Sequence, residues 1–115
     1  MAIANFIDDT IKCTSYYSIL GNMETNSPDW AALAEKHISL AEAMGMTALT
    51  LSESIKMSSK VVLAKLQSYT EEMGKTIQND AINVSLLLEK YGEDCRLLVE
   101  NPTARLNYWM DQEKK

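Results

Sequence analysis

The sequence contains few of the residues that interrupt regular structure. It has 4 glycines and 2 prolines among 115 residues, whereas β-rich domains place such residues at most of the turns between strands. The scarcity therefore favours a few long elements. Apolar residues make up 46% of the chain, which is enough for a packed core and well above the range of disordered chains. Because the chain is too short for two domains of ordinary size, we expect a single domain over residues 1–115.

Residues that commonly carry metal or nucleophilic chemistry are equally scarce. The chain has one histidine, His37, and two cysteines, Cys13 and Cys95, which lie far apart. Zinc and di-iron sites need several ligands at short spacings, and a nucleophilic triad needs a histidine and a carboxylate held on a concave scaffold. The tripeptide Gly-Lys-Thr at 74–76 lacks the earlier glycine of a phosphate-binding loop. We therefore expect no enzymatic activity, no metal and no cofactor.

The cysteines and the N-terminus bear on the compartment. The two cysteines fit neither a disulfide framework nor a redox motif, so free, partly buried thiols in a reducing compartment are expected. The N-terminus carries Asp8 and Asp9 where a signal peptide would need a basic start and an apolar run. No apolar stretch reaches the ~20 residues that a membrane span requires. These features predict a cytoplasmic protein without a membrane span, and leave open export by a route that uses no cleavable signal.

The negative charge is concentrated in the first half. Residues 1–55 carry seven acidic and two basic residues, whereas residues 56–115 carry nine of each, which gives the net charge of −5. An acidic chain without a basic patch is poorly suited to phosphate backbones, so no nucleic-acid partner is expected. Lys56, Lys60 and Lys65 form a short basic run, which we interpret as a solvated helix surface in preference to a docking patch.

One apolar stripe runs through most of the chain at intervals of three and four residues, the period of an α-helix. It is polar at Thr47, Ser58 and Asp80, and a buried Asp80 would need a partner or a place at the end of an element. A second row of small residues follows the same spacing and predicts a line of close contact between helices. The apolar stripe consists of Leu40, Met44, Thr47, Leu51, Ile55, Ser58, Val62, Leu66, Tyr69, Met73, Ile77, Asp80, Val84, Leu88, Tyr91 and Cys95, and the second row includes Ala41, Gly45, Ala48, Ser52, Ser59, Thr70, Gly74, Ala81, Ser85 and Gly92.

Local signals divide the chain into a helix over about 4–20, a loop over 21–27, a long helical region over 28–100 and a short helix over 102–111. Gly21-Asn22 is typical of a helix end, Ser27 and Pro28 of a helix start, and Asn101 of a cap before proline. An unbroken helix over 28–100 would be about 110 Å long at 1.5 Å per residue. Either the chain therefore folds back, near Gly45 or within 74–80, or other copies cover the stripe.

These observations predict an all-α fold, an elongated helical hairpin or bundle with one or two long helices and short terminal helices. The expected function is a non-enzymatic protein–protein interaction or assembly protein that associates with itself, such as a filament or secretion-apparatus subunit, an adaptor or a chaperone. The alternative is an acidic inhibitor or immunity-type protein that covers a basic surface with Asp8, Asp9, Glu35, Glu42 and Glu53. The predicted interface residues are Trp30, Leu40, Met44, Leu51, Ile55, Val62, Leu66, Tyr69, Met73 and Trp109.

Overall fold

A computed structural model describes residues 2–24, 28–77 and 83–114, and the regular structure within these ranges is helical. The all-α class predicted from the sequence is therefore confirmed. None of the helices in these ranges is both long and apolar enough to cross a membrane. The elements in chain order are α1 (Ala2–Glu24), a 3-10 turn (Pro28–Trp30), α2 (Ala31–Ser54), α3 (Ser59–Ile77), α4 (Val84–Leu87), a π-helical segment (Leu88–Gly92), α5 (Glu93–Glu100) and α6 (Pro102–Glu113).

Helix α1 lies at the centre of the fold. Helices α2, α3 and α6 pack against it, and five consecutive residues, 13–17, are buried on it. Since five successive helical residues point in all directions around the axis, α1 is enclosed on all sides there. The molecule measures 45 × 26 × 25 Å and is compact. The elongated shape predicted for the hairpin or bundle is therefore not confirmed. Helix α1 is nearly as long as α2, and its neighbours pack around it.

Helices α1 and α2 approach closely through small residues. Ala34, Ala41 and Ala48 of α2 are buried, and the last two belong to the predicted row of small residues. On α1, a Cβ added to Gly21 would lie 2.5 Å from Ile38 Cγ1. Gly21 thus allows close packing within the last turn of α1, and the helix continues to Glu24, beyond the predicted end near residue 20.

The hydroxyl groups buried in α1 are satisfied within the fold. Thr10 Oγ1 donates to the Phe6 carbonyl oxygen at 2.9 Å, and Thr14 Oγ1 donates to the Thr10 carbonyl oxygen at 2.8 Å. Ser15 Oγ reaches across to α3 and donates to the carbonyl oxygen of Leu66 at 3.1 Å. These bonds remove the cost of burying an unpaired polar group, so α1 can occupy the core with a mixed composition.

A sharp turn over residues 55–58 separates α2 from α3, at a position that the sequence signals did not indicate. Lys56 adopts a positive φ of 59°, which is uncommon for a residue other than glycine. The turn is held by the Met57 N–H, which donates to the Ser52 carbonyl oxygen at 2.8 Å. Ser58 Oγ accepts from the Lys60 N–H at 3.1 Å, so this member of the stripe caps α3.

The other expected boundaries have different outcomes. Gly45 lies inside α2 without a break, and α3 ends at Ile77. Asn101 caps α6, where its side chain accepts from the Ala104 N–H at 3.2 Å and is followed by proline. The interpretations of Ser27 as a cap and of Asp80 as an element end or paired carboxylate concern residues outside the described ranges.

Cys13 and Cys95 form a disulfide that joins α1 to α5. The expectation of free thiols is therefore wrong. Both cysteines are almost fully buried, with 4% and 1% of their surface exposed, and they belong to the larger core cluster. The pairing joins residues 82 positions apart, so it ties the C-terminal helices to the central helix.

Candidate functional site

The predicted interface residues lie mainly inside the fold. Met44, Val62 and Met73 are buried, and most of the others are partly buried and pack against the two core clusters. Trp30 differs, because 54% of its surface is exposed. The partly buried members are Leu40, Leu51, Ile55, Leu66, Tyr69 and Trp109. The stripe thus buries itself largely against α1, and its role in binding another protein stays a prediction.

Two predicted interface residues also make polar contacts with adjacent carboxylates of α1. The Tyr69 hydroxyl donates to Asp8 Oδ2 at 2.7 Å, and Lys65 Nζ donates to Asp8 Oδ1 at 3.1 Å. Trp109 Nε1 donates to Asp9 Oδ2 at 2.7 Å. The Nε of Arg105 donates to the same oxygen, also at 2.7 Å.

Asp8 therefore docks α3 and Asp9 docks α6. Both acids were candidates for covering a basic target, but here they hold the fold together. The three glutamates of α2 in that candidate set remain exposed, namely Glu35, Glu42 and Glu53.

An open apolar groove lies between α2 and α3. Its floor is formed by Ile11 and Thr14 of α1, and its volume is about 430 Å³. The helices α2 and α3 both rest on α1 and diverge from the turn at residues 55–58, so they leave part of the space between them unfilled. The walls are Ala41, Glu42, Gly45, Met46, Ala48 and Leu49 of α2, and Val62, Leu63 and Leu66 of α3. We refer to this set of residues as the α2–α3 groove.

Two large apolar side chains at the edges of the α2–α3 groove are exposed to solvent. Met46 has 65% of its surface exposed and Leu63 has 56%. Neither belongs to the stripe, so neither was predicted as an interface residue. The available signal was an apolar residue off the core face of its own helix, beside the stripe residues Met44 and Val62. The groove itself depends on how far the helices diverge, which residue spacing does not encode.

A second apolar groove, of about 450 Å³, lies where α1, α2 and α4 meet, and Trp30 forms part of its lining. Its polar members are His37 and Glu24, whose Nδ1 and Oε1 atoms are 2.5 Å apart. The His37 ring also stacks on Tyr17, with 5.5 Å between ring centroids. His37 is therefore packed between the side chains of Glu24 and Tyr17. The remaining lining residues are Leu20, Met23, Leu33, Val84 and Leu88.

Tyr16 and Tyr69 keep their protons at neutral pH, because their pKa values are raised. Burial raises the pKa of Tyr16 to about 12. Burial, followed by the hydrogen bond to Asp8, raises the pKa of Tyr69 above its ordinary value of 10.0. The Tyr69 hydroxyl therefore serves as a donor to Asp8, which is a structural role.

In the ranges 2–24, 28–77 and 83–114, no three side chains of His, Cys, Asp or Glu come together in a way that could hold a metal ion. The arrangement that these residues do offer is an apolar groove with exposed apolar edges. Such a surface is suited to binding apolar side chains of another molecule.

Comparisons with known proteins give no relative. No family model, no curated protein and no solved structure matches this chain.

Proposed function

We propose that the chain is a non-enzymatic helical protein that associates with a second copy of itself through the α2–α3 groove. The observation that supports this most directly is the exposure of Met46 and Leu63 at the edges of an unfilled apolar groove. The surface offers both partners of an apolar contact, namely a cavity and protruding side chains. A self-complementary patch of this kind is what an isologous dimer uses.

The expected association is weak. Full burial of a Met or Leu side chain contributes roughly 1.5–3 kcal/mol, and two such side chains from each copy would enter the contact. The four side chains together contribute about 6–12 kcal/mol, and the cost of association is about 4–15 kcal/mol, so with the cost near the lower end of its range a surplus of about 5.5 kcal/mol remains. We therefore expect a dissociation constant of the order of 100 µM.

The test is the solution mass at two protein concentrations, well below and well above about 100 µM. Size exclusion coupled to light scattering should show a mass that rises toward twice that of the monomer. Met46→Gln and Leu63→Gln together should keep the protein monomeric, because each replaces an apolar contact with a polar side chain that still favours helix. A strict monomer at the higher concentration would contradict the proposal.

The chain offers matched controls for these substitutions. Met110 and Leu97 are 45% and 49% exposed and do not line the groove. Met110→Gln and Leu97→Gln should therefore leave the mass unchanged. Loss of the dimer in this control pair would mean that the contact lies elsewhere.

A second candidate function, an acidic protein that covers a basic target, is supported by the exposed glutamates of α2. Glu35, Glu42 and Glu53 lie on that helix, and Asp8 and Asp9 are already held by internal donors. Such binding would weaken steeply as salt is raised, because it depends on exposed charges. A monomeric protein with salt-sensitive binding to a basic partner would favour this candidate.

The buried disulfide supports a site of action where thiols are oxidised. Disulfides persist in oxidising compartments and are rare in the cytosol. The expectation of a cytoplasmic location depended in part on free thiols, which Cys13 and Cys95 are not. The test is to quench the native cells with acid, denature the protein, alkylate it before and again after reduction with two different reagents, and identify the labels by mass spectrometry. Unmodified cysteines that react only after reduction would support it, and two alkylated cysteines without reduction would contradict it.

A further inference from the structure

Two exposed charges of opposite sign lie toward opposite ends of the α2–α3 groove: Glu42 is one of its lining residues, and Lys60 lies just outside the lining, one helical turn before Leu63. Glu42 lines the groove and lies one helical turn before Met46 on α2. Lys60 lies in the first turn of α3, on the same helical face as Leu63. Lys60 is next to the turn at residues 55–58, whereas Glu42 lies about 20 Å from that turn at 1.5 Å per residue.

Both charges are available to a partner. Glu42 and Lys60 are exposed, and neither forms an ion pair with another residue of the described ranges. By contrast Lys65, from the same basic run, is paired with Asp8. An acidic residue therefore lies in one end of the groove, and a basic residue lies just beyond its other end.

We propose that the two copies meet in an antiparallel arrangement about a twofold axis, with Glu42 of each copy facing Lys60 of the other. This inference depends on the proposed self-association and specifies its geometry. A twofold axis perpendicular to the groove exchanges its two ends. It places the Glu42 end of one copy against the Lys60 end of the other, twice in each dimer.

The apolar contacts agree with the same arrangement. Met46 lies near the Glu42 end and Leu63 near the Lys60 end, so the antiparallel arrangement brings Met46 of one copy against Leu63 of the other. A parallel arrangement would place Glu42 against Glu42 and Lys60 against Lys60. Like charges in contact disfavour that register. An isologous contact also closes at two copies, which favours a dimeric adaptor over a filament subunit.

Charge reversal provides the test, with the dissociation constant measured by sedimentation equilibrium on the full chain. Glu42→Lys or Lys60→Glu turns two attractive pairs into two repulsive pairs, and each should weaken the dimer about tenfold. Glu42→Lys combined with Lys60→Glu restores opposite charges across the contact. The combined variant should return to within about threefold of the wild-type constant.

Each reversal also changes the net charge, so controls with the same change are needed. Glu35 and Lys36 are exposed residues of α2 that do not line the groove. Glu35→Lys and Lys36→Glu should change the dissociation constant by less than about threefold. The helical circular dichroism of all variants should match that of the wild type, because the substituted side chains are exposed and their helices remain intact.

The outcomes separate this inference from the proposed function. Suppose that Met46→Gln with Leu63→Gln abolishes the dimer, but that the combined charge reversal binds no better than the single reversals. The antiparallel register is then wrong, and self-association through the groove stands. If single reversals have no effect, the register is likewise wrong. If the wild type stays monomeric, both proposals fail. Recovery in the combined variant alone supports the arrangement described.

Discussion

Loss of the disulfide should remove a large part of the stability of the fold. The bond between Cys13 and Cys95 closes a loop whose ends are 82 residues apart. Cross-linking a loop of this length lowers the conformational entropy of the unfolded chain by an amount worth about 4.5 kcal/mol at 25 °C. Because a domain of this size is stable by about 5–15 kcal/mol, reduction should remove a third or more of the total.

Urea unfolding of the oxidised and reduced protein measures this loss. With a denaturant slope of about 1.5–2 kcal/mol per M, the midpoint should fall by about 2–3 M on reduction. Cys13→Ser with Cys95→Ser should give a similar midpoint to that of the reduced wild type. A thiol assay on the denatured, unreduced protein should find no free cysteine.

Two results would refute this reasoning. One is a pair of free thiols in the unreduced protein, which would mean that the cysteines do not pair. The other is a midpoint that moves by less than about 0.5 M, which corresponds to less than about 1 kcal/mol. The second result would show that other contacts already hold the C-terminal segments near α1 in the unfolded ensemble, so that the disulfide removes little further conformational entropy.

Three further predictions concern the centre of the fold. Asp9→Asn should cost about 1–3 kcal/mol in urea unfolding, because a charged acceptor shared by two donors, one of them Trp109 Nε1, loses its charge. Gly21→Ala should destabilise the protein by about 1–3 kcal/mol through overpacking against α2, whereas Gly74→Ala should stabilise it by about 0.5–1 kcal/mol, because an added Cβ at Gly74 meets nothing within 4 Å. The free energy of unfolding should fall as the pH rises above about 10, because the unfolded chain then loses a tyrosine proton that the folded chain keeps on Tyr69. Tyr69→Phe should make this fall with pH less steep.

Each of these predictions has a contrary outcome. An unchanged midpoint in Asp9→Asn would show that α6 does not depend on this carboxylate. A stabilised Gly21→Ala variant would show that α1 and α2 are farther apart than described. An equal alkaline slope in wild type and Tyr69→Phe would assign the loss of stability to another group.

The apolar stripe indicated which residues face the core, because the spacing of a buried face is a property of a single helix. Met44, Val62 and Met73 face the core at the predicted spacing, since burying one face is the main source of helical stability in a folded domain. The sequence also predicted the cap at Asn101, because a capping side chain bonds to a backbone N–H only three residues away and is followed directly by proline.

The features that the sequence did not reveal depend on tertiary contacts. Helix α1 carries buried polar residues such as Thr10 and Ser15, so its composition gave little sign that it is the central helix. The turn at residues 55–58 has neither glycine nor proline, and Lys56 takes up the left-handed conformation itself. The disulfide and the α2–α3 groove depend on which distant residues meet, which residue spacing within one helix does not determine.

The most direct test of self-association through the α2–α3 groove is the solution mass of the wild type against concentration, beside that of the variant carrying Met46→Gln and Leu63→Gln. We predict that the wild type approaches twice the monomer mass above about 100 µM and that the variant stays monomeric. A wild type that remains monomeric, or a dimer that survives both substitutions, would contradict self-association through the α2–α3 groove.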